Sequence, residues 1–383
     1  MRGKSVLLPI YCSLFLITLG IGAYNPFIPL YAQMLGASYY DLGLIGVAFS
    51  FPYLVLPVFT GALSDRFGRR LLFLCGVSCS AIIALLFIFA SNVLHIIVIR
   101  LFSGVAYAFM WPIAEAIITD LTTAEERIKA MGRYSFSWSL GFLVGPFIGG
   151  SILEGLGFNT LFTVSFSLGL MAVVTASYGL LERYEAKYSE FTVEQPSWAT
   201  PMKELTPIYF VIVTYSITLG LIYAIFPAYA VSINVTFFEV GVLFTILGAV
   251  RTITFLGSEV ISRMGTNRSI GLALIAQTVS MLGIAYLKGF TFLAVLMVLA
   301  GFAMGIFSPL TLSVASRSAP KERVGTMIGF VEAFFGLGFT VGPFIGGLTA
   351  ELFGATSPYV IVAILSGLTI IPIGLWREAK PAR

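Results

Sequence analysis

Charge is what this sequence has least of. Asp, Glu, Lys and Arg make up 10% of its 383 residues, hydrophobic residues make up 58%, and the mean hydropathy is +0.97. A water-soluble chain of this length cannot stay in solution on so little charge, so composition points to a polytopic membrane protein with the lipid bilayer as its first partner. Cysteine and histidine are nearly missing as well. Cys12, Cys75 and Cys79 lie in apolar runs without metal-ligand spacing, and the single histidine, His95, lies near the end of another. That pattern offers no disulfide framework and no metal or redox chemistry, and no cofactor is expected. HExxH, GxSxG and GxxxxGK[ST] elements are lacking too, along with any extramembrane domain, which argues against an enzyme, a receptor or a self-contained ATP-driven pump.

What is there is a series of charge-poor stretches of 18 to 28 residues, each long enough to cross a hydrocarbon core of about 30 Å. Twelve are read, over approximately 7–31, 41–63, 71–91, 94–119, 130–152, 158–181, 206–231, 238–261, 269–287, 290–315, 324–350 and 356–376. Twelve crossings put both termini on one face. Of the 22 Lys and Arg residues, only Lys288 falls on the opposite face and only Arg100 and Arg251 fall deep within spans. The positive-inside rule makes the N-terminal face cytoplasmic, in the cell membrane. The net charge of +4 then reports topology and implies no nucleic acid. A monomer is expected.

The sequence VGPFIGG occurs twice, at Val144 to Gly150 and Val341 to Gly347, 197 positions apart. The same offset pairs Gly104 with Gly301, Pro112 with Pro309, Glu125 with Glu322 and Gly132 with Gly329. Nearer the start of each half the offset is 198, pairing Pro29, Tyr31, Asp41 and Gly43 with Pro227, Tyr229, Glu239 and Gly241. A period this long is a duplicated domain and not a solenoid repeat. The expected division is an N-terminal six-helix bundle (1–181), a charged cytoplasmic linker (182–204) and a C-terminal six-helix bundle (205–383).

Between the second and third spans stands GALSDRFGRR, Gly61 to Arg70. Asp65, Arg66, Arg69 and Arg70 can form a charge cluster, and Gly61 and Gly68 permit close approach and a tight turn. With these residues the chain resembles the major facilitator superfamily, whose signature loop has this form. The resemblance covers essentially the whole chain and implies an all-α membrane protein of two pseudo-symmetric bundles rocking about a central cavity. It further implies that Asp65 faces a helix N-terminus, that Arg69 binds Asp65 and Asp120, and that this cytoplasmic gate locks one state. The second copy, Gly257 to Arg268, has Ser262 where Asp65 stands, so its latch should be weaker.

Two further stretches resemble the twelve-helix drug/proton antiporters. One is LGIGAYNPFIP, Leu19 to Pro29; the other is the antiporter motif, carried by Gly141, Gly145, Pro146, Gly149 and Gly150 in the fifth span. Gly338, Gly342, Pro343, Gly346 and Gly347 repeat it in the eleventh. Glycines at i, i+4 and i+8 make a smooth stripe for close helix packing, and proline adds a bend. The fourth-span run Arg100 to Phe109 resembles the family's Arg-x-x-Gln-Gly element, with Ser103 for glutamine, and by that resemblance Arg100 is linked to proton transfer. An arginine within a span costs about 2.5–3.5 kcal/mol, so Arg100 either works or snorkels to the outer interface.

Four ionisable residues remain to be explained inside spans, Arg100, Glu115, Arg251 and Glu332, and these are the proton-coupling candidates. Arg251 and Glu332 lie about 16 and 13 Å from the inner ends of their helices, matching depths that suggest an ion pair or a substrate site. Glu115, nearer its inner end, reads as solvated or paired with a loop. The first span holds no acid, unlike that of many drug antiporters. By the resemblance the cavity is walled by the first, fourth, seventh and tenth spans, which offer Tyr24, Asn25, Tyr107, Trp111, Tyr215 and Tyr223. Aromatic and weakly polar walls suit a small amphipathic or lipophilic molecule better than a sugar. The function implied is proton-coupled efflux of such compounds by alternating access, as in multidrug resistance. Uptake of a sugar or organic anion, by symport or uniport, is the open alternative.

Overall fold

The computed structural model describes residues 4–181, 205–318 and 324–376. Regular structure there is helical, with no strand among the described residues. Lipid offers backbone groups no water to bond, so a spanning segment must satisfy its own N–H and C=O groups, and a helix does so. In the first repeat α1 (Lys4–Tyr24) passes through a 3-10 turn (Asn25–Phe27) into α2 (Ile28–Met34), and α3 (Tyr39–Val55) is continued by α4 (Pro57–Phe67). Then come α5 (Arg69–Leu86), α6 (Val93–Asp120) and α7 (Ala124–Leu181). The second repeat runs through α8 (Thr206–Ala224), α9 (Phe226–Ser232), α10 (Phe237–Leu256), α11 (Ser258–Ser262), α12 (Thr266–Tyr286), α13 (Phe290–Ser318), α14 (Val324–Phe353) and α15 (Ser357–Leu375).

Among the described residues ten helical stretches are long and apolar enough to cross a bilayer. One of them, Glu125–Gly179, is two crossings joined at Gly157, whose φ of 75° and ψ of 178° break the helix. The shorter apolar α3, continued by α4, supplies one more, which gives twelve. The first, second, seventh and eighth spans, each read as one helix, are interrupted at Asn25–Phe27, Leu56, Ile225 and Gly257. Pro29, Pro57 and Pro227 explain three of the breaks. Each sits in the first turn of the helix after the break, where its missing N–H costs nothing.

The duplication extends to backbone dihedrals. Gly68 and Gly265 have φ of 91° and 96°, Gly157 and Gly354 75° and 93°, and both pairs stand 197 apart. Gly36 (90°) and Asn234 (66°) keep the 198 offset of the earlier part of each half. Left-handed backbone is open to glycine and, at small cost, to asparagine, so these positions fix where each repeat turns.

By contacts the chain forms two compact units. Unit 1 is Met1–Ala37, Ala48–Glu190 and Thr236–Thr245; unit 2 is Ser38–Val47, Phe191–Val235 and Ile246–Arg383. In unit 1, α1 lies along α7 and α5 packs on α6 and α7; in unit 2, α8 lies along α14 and α12 packs on α13 and α15. The glycine stripes make the long contacts possible. A Cβ on Gly145 would come within 2.6 Å of the Gly22 carbonyl carbon, and Gly141 and Gly149 press equally close on Thr18 and Ala23 of α1. Gly338 and Gly342 meet Ser216 and Ile217 of α8 in the same way. The core of unit 1 is aromatic, with Tyr24, Phe87 and Phe162 in ring contact, and the Tyr31 hydroxyl donates to the carbonyls of Phe87 and Ala90 at 3.1 Å. In unit 2 the matching Tyr229 donates to the Ile284 carbonyl at 2.7 Å. Val174, Tyr178, Ile253, Leu256 and Leu375 stand exposed on the outside, a surface suited to lipid rather than water.

Candidate transport site and gating elements

The shared scaffold carries unshared chemistry. Counting along the repeat, Arg251 answers to Tyr53, Glu332 to Ser135, Glu115 to Leu312 and Arg100 to Met297. Each charged position therefore belongs to one half alone.

In unit 1 Arg100, seven residues into α6, is 9% exposed. Its Nη1 donates to Asn25 Oδ1 at 2.7 Å, in the turn that interrupts α1 and α2, and its guanidinium lies 4.3 Å from the centroid of Phe49. Tyr24 and Tyr107 lie close enough to feel its charge, and its Nε has no hydrogen-bond partner. A buried guanidinium held by an amide and a ring face is not snorkelling; it is anchored at the break in the first span. Tyr24 is itself in the core, 2% exposed. Tyr107 and Trp111 begin an aromatic series along α6: Tyr107 meets Phe49 and Tyr53, and Trp111 meets Tyr134, Trp138 and Phe142 of α7. One turn beyond Trp111, the Glu115 carboxylate accepts a hydrogen bond from the Tyr134 hydroxyl at 3.1 Å.

In unit 2 Arg251 Nη2 donates to the Tyr215 hydroxyl at 3.1 Å, and Tyr223 is near enough to feel the same charge. Tyr215 also lines a small pocket of about 40 Å³ between α8, α13 and α14. Glu332, Ser308 and Thr311 are its other polar walls, and Ile212, Val331 and Phe335 are among the apolar ones. The ion pair expected between Arg251 and Glu332 is not formed: no salt bridge joins them among the described residues. Equal depth on two helices fixes height but not the direction each side chain takes, and Arg251 is turned to Tyr215. The donors and acceptors can be assigned. Thr311 donates to the Phe307 carbonyl and the Tyr215 oxygen accepts from Arg251, and both residues share the pocket with Ser308 and Glu332.

At the opposite end of unit 1, Arg69 Nη1 lies 2.6 Å from Asp120 and donates to the Ala116 carbonyl at 3.0 Å. Asp120 is the last residue of α6, so the guanidinium also sits at the negative, C-terminal end of that helix's dipole. Gly68 makes the turn, Arg66 is exposed over Phe67, and Arg70 begins α5. Gly61 and the Asp65 side chain lie outside the described residues. In the second copy Arg263 lies 3.8 Å from Glu259, both well exposed, an arrangement worth little.

The antiporter motif turns out to have two faces. Its glycine stripe meets α1, while Pro146 and Gly150 meet Gly241 and Phe238 at the start of α10. In the second copy Gly346 meets Leu221 of α8, while Pro343 and Gly347 meet Gly43 of α3. The profile of one protein family matches residues 10–290 and 208–383, nearly the whole chain. The chain belongs to the Major Facilitator Superfamily. An uncharacterised MFS-type transporter of Methanocaldococcus jannaschii is 28% identical over 370 residues, 93% of this chain and 94% of that one. Multidrug resistance protein 2 of Bacillus subtilis is 26% identical over 394 residues, covering 98% and 96%. A crystal structure of the nucleoside transporter NupG matches with a TM-score of 0.83 at 13% identity, covering 97% and 99%, a likeness of fold alone.

This major facilitator is accordingly a multi-pass membrane transporter of small molecules, similar to the drug/proton antiporters. Sequence reasoning missed Phe49, Tyr134, Trp138 and Phe142 in unit 1 and Ser308, Thr311 and Phe335 in unit 2. The run Tyr134, Trp138, Phe142, spaced by four along one face of α7 and leading into the antiporter motif, was the available signal. Nothing in the sequence distinguished Ser308 and Thr311 from other small polar residues in spans.

Proposed function

We propose that this transporter exports small amphipathic or lipophilic compounds in exchange for protons, with Glu332 as the coupling carboxylate and both termini in the cytoplasm of a monomer in the cell membrane. The observation that carries the reading is the Glu332 pocket: a carboxylate with no salt bridge among the described residues, sharing its pocket with the hydroxyl groups of Tyr215, Ser308 and Thr311 among apolar walls. A carboxylate so placed can exchange a proton for a ligand, because no fixed arginine competes for it. The cavity holds about 40 Å³, room for a water-sized group, so it would receive only the polar end of a molecule whose apolar part rests on neighbouring rings. Tyr223 is the proposed ring in unit 2, and Tyr107 and Trp111 are proposed substrate contacts in unit 1. Arg100 with Asn25, and Glu115 with Tyr134, are second-rank proton sites. Asp65, Arg69 and Asp120 form the proposed cytoplasmic gate. Likeness to Multidrug resistance protein 2 supports the direction and class of transport.

Everted membrane vesicles with an imposed pH gradient test the reading. A lipophilic fluorescent dye should load when the lumen is acid and leak when nigericin collapses the gradient. Loading driven by the opposite gradient, or indifferent to both, would point to uptake or uniport.

A further inference from the structure

We propose that Glu154 and Glu351 are paired gating residues, each closing the outer face by capping the first turn of a helix from the other sequence repeat. Glu351 of α14 accepts from the Tyr39 N–H at 3.0 Å, and Glu154 of α7 accepts from the Phe238 N–H at 3.2 Å. The two acids stand 197 apart, so the duplication has kept them. Both helices already cap themselves. Asp41 takes the Ser38 N–H and hydroxyl at 2.9 Å, and Glu239 takes the Thr236 N–H at 2.8 Å. The incoming carboxylate takes a donor the helix's own cap leaves over, where the helix dipole favours negative charge.

The surroundings repeat as well. Gly43 meets Pro343 and Gly347 while Gly241 meets Pro146 and Gly150; Tyr40 stacks edge-on to Phe344 at 6.4 Å while Phe238 does so to Phe147 at 5.6 Å. Residues 39–47 of α3 group with unit 2 and 48–55 with unit 1, and α10 is divided the opposite way after Thr245. Each cap joins one sequence repeat to the other, so it must be released wherever the repeats part. Each carboxylate makes one exposed hydrogen bond, which holds by about two- to fivefold and so can be released in a transport cycle.

Cross-linking of the full-length protein in membranes tests this without any substrate. With Cys12, Cys75 and Cys79 replaced by serine, cysteine pairs at Tyr40 with Phe344 and at Phe147 with Phe238 report closure through their oxidation rate. Glu351→Ala should slow both pairs about two- to fivefold, including the remote one, Glu154→Ala should do the same, and Gln at either position should restore most of the rate. Should alanine keep the protein from the membrane, Glu351→Asp retains the charge, withdraws the oxygen, and should slow both pairs likewise. Slowing confined to the neighbouring pair would reduce the glutamates to local caps and overturn the proposal, and so would unchanged rates at both pairs.

Discussion

A buried arginine states what it needs: an acceptor, a ring face, or water. Arg100 has the first two, from Asn25 and Phe49, and Arg251 has the Tyr215 hydroxyl. That the second arginine meets a tyrosine and not an acid changes what a double-mutant cycle should give. Arg251→Met and Glu332→Gln should be additive within about 0.5 kcal/mol, because the groups do not meet, while Arg251→Met and Tyr215→Phe should couple by about 1 kcal/mol. Transport rates and thermal stability of the purified variants measure both cycles; coupling in the first and additivity in the second would place Arg251 on Glu332 after all. The identity and depth of each charge were legible in the sequence from hydropathy and helical rise. Side-chain direction was not, since it depends on which neighbour fills the adjoining space.

Among the helices, the glycines were legible in kind but not in cause. The antiporter stripe announced close packing, and the structure shows it against α1 and α8. Gly157 carried no such signal, yet its left-handed backbone separates two spans, a role that depends on φ and not on space. Three substitutions separate these cases. Gly145→Ala should cost 2 kcal/mol or more, roughly, because its Cβ overlaps the backbone of Gly22. Gly157→Ala has open space around it but should cost about 1–2 kcal/mol in strain. Gly132→Ala, helical and open, should be neutral or stabilising by up to about 1 kcal/mol. Melting in detergent ranks them; Gly132→Ala as damaging as Gly145→Ala would refute the packing account. The breaks at Leu56 and Ile225 were not predicted, because a proline in an apolar run signals a bend and a new helix start equally well.

At the scale of the molecule, duplication supplied the frame and divergence the chemistry. Turns, caps, glycine contacts and buried tyrosines recur at offsets of 197 and 198, whereas Arg100, Glu115, Arg251 and Glu332 have uncharged counterparts. The central claim is that one of these unmatched groups, Glu332, links protons to substrate. The direct test compares Glu332→Gln with Glu115→Gln in everted vesicles, measuring substrate exchange at equal pH and accumulation under an inward-acid gradient. Glu332→Gln should keep exchange and lose accumulation, while Glu115→Gln keeps both. Full proton-driven accumulation by Glu332→Gln would contradict the account, and its loss in Glu115→Gln instead would move the coupling site to unit 1.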